Sequence, residues 1–495
     1  MSPTFRALRS ANYRMYLAGS VVSNVGTWMQ RVAQDWLVLH LPGNSGTELG
    51  ITTGLQFLPI LLLTPYAGVV ADRFPKRRLM QLTQAMMAVT SVLLGVIAVL
   101  GVAETWHVYV LAFMFGVGAA FDAPARQSFV AEMVGPDDLT NAVGLNSASF
   151  NAARILGPAI AGVMIGALGG GPEATGWVIL VNGVSYLAVI AQLERMNVAL
   201  LQSPETRPRQ PGMLREGVAY VRSQPKMILI LIVVFFAGTF GMNFQITSAL
   251  MATEVFDKGA SEFGLLGSAM AVGSLTAALL NARRVRIRLR LVVIAAVAFG
   301  IAEVVAGLLP TYVAFALFAP VIGFATLTML NSANATMQTE SDPLMRGRVM
   351  AFYFTIVMGG TPLGAPVIGL IGQHLGARWT LIVGGVVTVA GVAVALAVYA
   401  RIQGGALGFE TARAIPRWRA DRRRASSTAS ADAQPSLRSG RAASDVLTGV
   451  GGAGSLVPRV WDNQAVARAR NQSGGQAPDP GAEASLDETL SGSSR

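Results

Sequence analysis

Twelve apolar stretches, each long enough to cross a bilayer as a helix, leave this chain few folds to choose from. They cover residues 15–41, 49–71, 79–101, 107–130, 141–168, 176–193, 227–252, 262–282, 291–309, 311–335, 349–372 and 379–400. A spanning helix needs about 20 mostly apolar residues. The hydrocarbon core offers no water, so every backbone N–H and C=O must pair within its own segment. Composition agrees, since only 13 % of the 495 residues are charged and 52 % are hydrophobic. A soluble chain carries about 25 % charged residues. The predicted class is an all-α integral membrane protein.

The connections set the orientation, because Lys and Arg concentrate in cytoplasmic loops. With the N-terminus inside, Arg6, Arg9 and Arg14, the cluster at 73–78, Arg126, the basic residues of 195–226 and 283–290, Arg346 and Arg348 all fall on the cytoplasmic side. Only Lys258 and Arg378 fall in outer connections. Both termini are then cytoplasmic. The first apolar run is too long for the core of a signal peptide, and no small-residue cleavage pattern follows it.

Four regions result. Residues 1–193 form an N-terminal six-helix bundle. Residues 194–226 are a central cytoplasmic loop, in which "LREGVAYVRSQP" reads as a short amphipathic surface helix. Residues 227–401 form a second six-helix bundle. Residues 402–495 are rich in Ser, Ala, Gly and Arg without apolar periodicity, and are predicted to be a disordered cytoplasmic tail. Its first basic residues, from Arg413 to Arg424, suit attraction to anionic lipid, at about 1 kcal/mol per basic group near the surface.

The two halves carry a faint internal repeat. "SNVGTWMQ…TELG" (23–30, 47–50) aligns with "GTFGMNFQ…SEFG" (238–245, 261–264), which sets Gly26 beside Gly241 and Gln30 beside Gln245. "GPAIAGVMIGALG" (157–169) aligns with "GAPVIGLIGQHLG" (364–376). Parallel repeats of six spans are the pattern of a major facilitator transporter.

Other classes drop out. There is no cysteine, so disulfides, thiol chemistry and cysteine-bound metal are excluded. The lysines Lys76, Lys226 and Lys258 are followed by Arg77, Met227 and Gly259. A phosphate-binding G-x-x-x-x-G-K-[ST] loop therefore cannot form. His40, His107 and His374 all fall on the outer side, and nothing brings them together, so a headgroup-level role is expected. An enzyme, a cofactor, a metal and a nucleic-acid partner are not expected. Energy must come from an ion gradient or a partner.

Five ionisable residues lie inside the spans: Arg31, Asp35, Asp122, Arg154 and Glu303. Each costs about 2.5–3.5 kcal/mol at mid-membrane on insertion scales, and intramembrane charge marks a functional candidate. Span 1 is the richest. Ser20, Ser23, Asn24, Thr27, Gln30, Arg31, Gln34 and Asp35 recur every three to four residues and form one polar stripe. Such a stripe should face a cavity or another polar helix. Arg31 and Asp35, four apart, can pair directly. Asp35 would lie about 9 Å, and Arg31 about 15 Å, inside the outer end of the helix. In the second half their counterparts are Ile246 and Leu250, so the fold does not require the pair. A structural ion pair fixing span 1 is the alternative. Arg154 suits an anionic substrate or a structural partner. Glu303, in span 9, is expected to be structural or lipid-adjacent.

Two motifs carry a family resemblance. "GVVADRFPKRR" between spans 2 and 3 resembles the G-x-x-x-D-R-x-G-R-[RK] motif of the major facilitator superfamily, with Pro75 in place of a glycine. The resemblance implies a conformational latch formed by Gly68, Asp72, Arg73 and Arg77, with Asp122 and Arg126 of span 4 as partners. The matching second-half loop has Arg286 at the place of Asp72, so the latch would be asymmetric. "RILGPAIAG" in span 5 resembles the antiporter motif of exporters, with Ala153 and Ala161 in place of two glycines. It singles out Gly157, Pro158 and Gly162, for which ordinary small-residue packing is the alternative. Phe121 to Gly162 and "LMRGRVMAFY" (344–353) resemble the transmembrane secretion effector, or enterobactin-exporter-like, branch of drug:proton antiporters. One departure is Ala112, where many such exporters place an arginine. The resemblance implies a bacterial inner-membrane exporter of a small amphipathic or hydrophobic compound (drug, siderophore or secondary metabolite), driven by proton antiport. On the stripe of span 1, Asp35 is the leading candidate for the coupling carboxylate, with Arg31 tuning it. Asn24, Trp28, Gln30, Gln34, Arg154 and Gln245 are the cavity candidates. Uptake or facilitated diffusion on the same fold, and a non-transporting docking protein, are the alternatives.

Overall fold

In the computed structural model, residues 3–41, 45–202, 213–282, 289–343 and 345–403 are described, and nearly all are helical. The tail beyond residue 403, Arg286 and part of the central loop lie outside the described residues. The helices are α1 (Ala11–His40), α2 (Gly46–Arg73), α3 (Lys76–Val99), α4 (Thr105–Met133), α5 (Pro136–Ala167) and α6 (Pro172–Arg195). There follow α7 (Met213–Arg222), α8 (Pro225–Val255), α9 (Ala260–Ala282), α10 (Leu289–Leu308), α11 (Tyr312–Glu340), α12 (Arg346–Leu375) and α13 (Ala377–Ile402). All but α7 are long enough to span. Among the described residues, eleven of them also pass on apolarity, and α1 is the one left out. Its polar stripe lowers its hydropathy.

Local chemistry starts and stops these helices. Pro136, Pro172 and Pro225 open α5, α6 and α8, where a missing N–H breaks no helical bond. The Ser45 hydroxyl caps α2 by accepting from the Glu48 N–H at 3.2 Å. Between α12 and α13 the chain turns on Gly376 alone, at φ 94°. A side chain would be strained there.

α1 to α6 pack mainly on one another, α1 on α5 and α6, α2 on α4, and α3 on α4 and α6. α8 to α13 do the same, α9 on α11, and α10 on α11 and α13. Two helix pairs make the main joints between the halves, α2 with α12 and α5 with α9, and α1 and α2 also touch α8. The sequence repeat is visible in these joints. A Cβ on Gly50 would meet the Ala365 carbonyl, and a Cβ on Gly264 would meet the Pro158 carbonyl, which is the same contact in the two halves. Gly162 abuts Gly264, as Gly369 abuts Gly50. Gly157 seats Trp28 of α1, and Gly364 seats Thr239 of α8. The span-5 motif is therefore a packing seam for two neighbours at once. Small residues serve in such seams because, without water, helix association rests on close backbone approach.

Among the described residues, the apolar core shared by the two halves lies toward one end. Where α1 finishes and α2 begins, one apolar cluster includes Leu37, Leu49 and Ile165 with Leu250, Phe263 and Ile368. At the opposite, arginine-rich end there are two clusters. Tyr13, Met80 and Phe129 belong to the first half, and Met227, Val349 and Tyr353 to the second. Tyr66 and Phe354, on the facing helices α2 and α12, are exposed there. The amphipathic helix expected in the central loop is α7. It is pinned to α12 by an Arg348–Glu216 ion pair and by Gly217 against Phe352.

Candidate translocation site

The polar stripe of α1 divides into two faces in the folded chain. Ser20, Ser23, Gln30 and Gln34 are buried against neighbouring helices, whereas Asn24, Thr27, Trp28 and Arg31 are half-buried. The reason is the 3.6-residue period. Asn24, Trp28 and Arg31 fall on one line, and Ser23, Thr27, Gln30 and Gln34 on the next.

The buried line ties the first bundle together. The Gln30 Oε1 accepts from Asn182 Nδ2 of α6 at 2.5 Å. The Gln34 amide donates to Gln56 Oε1 of α2 at 3.3 Å. Thr27 shares a hydrogen bond with the Tyr186 hydroxyl at 2.9 Å. Gly26 leaves room for Asn182 and Ser185. Gln30 and Gln34, expected in the cavity, are thus engaged by other helices in this conformation. Sequence reasoning missed Asn182, Ser185 and Gln56. Polar residues three apart in span 6 were the available signal.

The half-buried line is different. Arg31 does not close an ion pair with Asp35 within 4 Å. Its guanidinium lies instead over the Trp28 ring at 4.7 Å and the Phe57 ring at 5.4 Å. A planar, weakly hydrated cation is well suited to an aromatic face. Its Nε is buried without a hydrogen-bond partner. The basic-first order explains the missing pair, since it points the two side chains less directly at each other. Asp35 is only 4 % exposed, and among the described residues it has no hydrogen bond and no ion pair within 4 Å, though the charge of Arg31 acts on it from one turn away. Trp28 meets Phe150 of α5 edge to face at 5.9 Å. One turn further along α5, Arg154 donates to Asn151 at 3.1 Å and leaves its Nε unpartnered. Two guanidinium groups with unused donors thus flank an aromatic wall on α1, α2 and α5. Gln245 is half-buried on α8.

The latch residues lie at the arginine-rich end. Asp122 and Arg126, four apart on α4, pair at 2.9 Å. Asp122 also accepts from Gln84 at 2.8 Å and Thr83 at 3.1 Å, and Arg126 reaches Ser20 at 3.3 Å. This node joins α1, α3 and α4. Lys76 pairs with Glu132, and Arg77 with Glu194 at 3.2 Å, again within the first half. Asp72 and Arg73 are exposed. Glu132 and Glu194 carried no motif and were not anticipated.

Two of the histidines have local structural roles. His40 stacks on Trp36 at 4.7 Å, and His107 completes a capping box with Glu104 at the start of α4. Glu303 is neither lipid-facing nor paired. It is 1 % exposed, because α10 turns that face toward α8 and α13.

The chain matches the sequence signature of the transmembrane secretion effector family over residues 2–408. It is 26 % identical over 379 residues to the multidrug efflux pump Tap of Mycolicibacterium fortuitum, covering 74 % of this chain and 91 % of that one. It is 23 % identical over 382 residues to macrolide efflux protein A of Streptococcus pyogenes, with the same coverages of 74 % and 91 %. Among solved structures it is similar to a bacterial homolog of the human lysosomal transporter Spinster in an inward-facing, occupied conformation. There the TM-score is 0.61 at 16 % identity, over 83 % of this chain and 100 % of that one.

Proposed function

The chain belongs to the transmembrane secretion effector family of major facilitator exporters, and from that premise we propose that it moves drug-like amphipathic compounds out of a bacterial cell in exchange for protons. It is a secondary transporter of small compounds and not an enzyme. Residues 1–193 and 227–401 act as the two bodies that rock about the α2–α12 and α5–α9 seams. With the arginine-rich end in the cytoplasm, both termini are inside. The arrangement of the halves is then inward-open, ready to accept a compound from the cell.

The observation that carries this reading is Asp35. A carboxylate buried in a membrane helix without a hydrogen bond is costly. It is retained where its charge is useful at some stage of a cycle. Asp35 lies one turn from Arg31, which faces the aromatic wall of Trp28, Phe57 and Phe150. A flat apolar compound can stack on that wall, while Arg31, Arg154, Asn24 and Gln245 offer hydrogen bonds. Gln30 and Gln34 hold α1 in register, so the line bearing Asn24, Trp28 and Arg31 stays turned to the cavity. Proton uptake by Asp35 from the outer side and release to the inner side couples the two movements. In the outward-facing state Gly68, Asp72, Arg73 and Arg77 close on the second half, with the Asp122–Arg126 node behind them. The basic start of the tail contacts anionic lipid.

The test is export from proteoliposomes under an imposed pH gradient, across a panel of dyes and macrolides. Gradient-driven export by the wild type is expected, with Asp35→Asn reduced to background while it still binds compound. Full export by Asp35→Asn would remove Asp35 from the coupling role. Gradient-driven accumulation in the opposite sense would reverse the direction.

A further inference from the structure

The second half contains a polar cluster that the transport reading does not use. At residues 237–241 the helix α8 widens into a π-turn, and Met242 and Asn243 then leave helical geometry. Such widened turns recur at functional sites. The break faces Glu303. A Cβ built on Gly241 would stand 2.8 Å from Glu303 Oε2, 2.9 Å from Thr388 Oγ1 and 2.7 Å from the Phe299 ring. Glycine at this position therefore lets the carboxyl approach the backbone of the break.

The cluster is short of donors. Glu303 Oε2, Asn243 Oδ1 and Thr239 Oγ1 are buried without any partner. The Asn243 amide already donates to the Thr239 carbonyl at 2.8 Å. The Thr388 hydroxyl already donates to the Gly384 carbonyl at 2.8 Å, which leaves only its lone pairs. Among the described residues, no charged or titratable group acts on Glu303. α8 turns Gly241 toward it, and α13 turns Gly384 and Thr388, while Thr239 and Asn243 lie two residues to either side of Gly241 on the break. The ionisable residues of the helices around it, Lys226, Glu254, Arg290, Glu340, Arg378 and Arg401, stand at helix ends. An isolated carboxylate in such a place has neither a counter-charge nor enough donors.

We infer that Glu303 is a proton-exchange site, and that its protonation sets the shape of the α8 break. On uptake the carboxylate binds one H⁺ and becomes a neutral acid, and the new O–H supplies the donor that the surrounding oxygens lack. On release the proton returns to water and the carboxylate must draw new donors, which the N–H groups of residues 244–246, at the start of the helical turn after the break, can provide. The break is also in contact with the seam between the halves. Gly360 of α12 abuts Gly238, Gly364 abuts Thr239, and further along α12 Gly369 abuts Gly46 of α2. A change of shape at the break therefore bears directly on the helix that closes against the first half. This inference needs neither a known substrate nor the role given to Asp35.

The test is hydrogen exchange of the full chain in lipid nanodiscs between pH 5.5 and 8.5, corrected for the chemical exchange rate, with α3 as reference. Protection of residues 237–255 relative to α3 is expected to change with pH in the wild type. That dependence is expected to be lost in Glu303→Gln and shifted along the pH axis in Thr388→Val, which remains informative if the first variant does not fold. The dependence should be the same in sodium chloride and choline chloride. Protection that does not vary with pH in the wild type, or that varies equally in both variants, would overturn the inference. So would a response to sodium at constant pH, which would make the oxygen cluster a sodium site instead.

Discussion

The helices α1 and α8 open the two halves of the molecule, and the repeat sets Gly26 opposite Gly241 and Gln30 opposite Gln245. They nevertheless solve the same problem differently. α1 is one uninterrupted helix of 30 residues that carries its own polar groups, among them the charged Arg14, Arg31 and Asp35. α8 is a nearly apolar helix with two π-turns, and where α1 has Arg31 and Asp35 it has the buried Ile246 and Leu250. Its polar character comes from freed backbone groups and from Glu303 and Thr388 on neighbouring helices. In each half the first helix lies beside its fifth, Gly157 on Trp28 and Gly364 on Thr239. A common scaffold thus holds a side-chain site in one half and a backbone break in the other. Function can diverge between repeats while the small-residue seams stay equivalent.

The largest effect that would sharpen this contrast is the loss of export in Asp35→Asn, against near-normal export in Leu250→Val at the matching place. Flux in proteoliposomes measures both. Next comes the shared scaffold. Gly364→Val and Gly157→Val each force a branched side chain into backbone-to-helix contact, and overpacking of this kind costs about 1–3 kcal/mol or more. Comparable falls in thermal stability are expected, and indifference to Gly364→Val would break the claimed equivalence. The buried amide pair follows. Gln30→Leu leaves Asn182 without its acceptor at a cost of about 1–3 kcal/mol, while replacing both partners by apolar residues should cost less. Unfolding in a double-mutant cycle would show it. Arg31→Lys loses the planar contact with Trp28 and Phe57, worth about 0.5–2 kcal/mol, and should weaken dye binding by a few-fold to about 30-fold. The smallest change is expected for Glu216→Gln, since a surface ion pair contributes about 0–1 kcal/mol.

Much of this was legible along the chain because membrane helices obey local rules. Hydropathy and the charge of each connection needed only neighbouring residues, and α7 showed its amphipathic pattern within ten. The site was less legible. The period of α1 revealed a polar stripe, but not that Gln30 and Gln34 turn to α6 and α2 while Trp28 and Arg31 turn to Phe150 and Phe57. Those two lines differ by a fraction of a helical turn, and only the placement of Asn182, Gln56 and Phe57 tells them apart. Arg31 and Asp35 have pairing distance in sequence, yet the aromatic rings compete successfully for the guanidinium.

By itself the sequence determined the spans, their doubling and the charge asymmetry of the connections, because each is a sum of local preferences for lipid or water. The tertiary structure decided which polar groups are engaged and which are left over. Asp35 and Glu303 look alike as single acids in apolar runs. One lies one turn from a cation held by aromatic rings, the other beside a broken helix with unpartnered oxygens. Hydrogen-bond partners in a membrane interior come from other helices, so no local pattern can announce them.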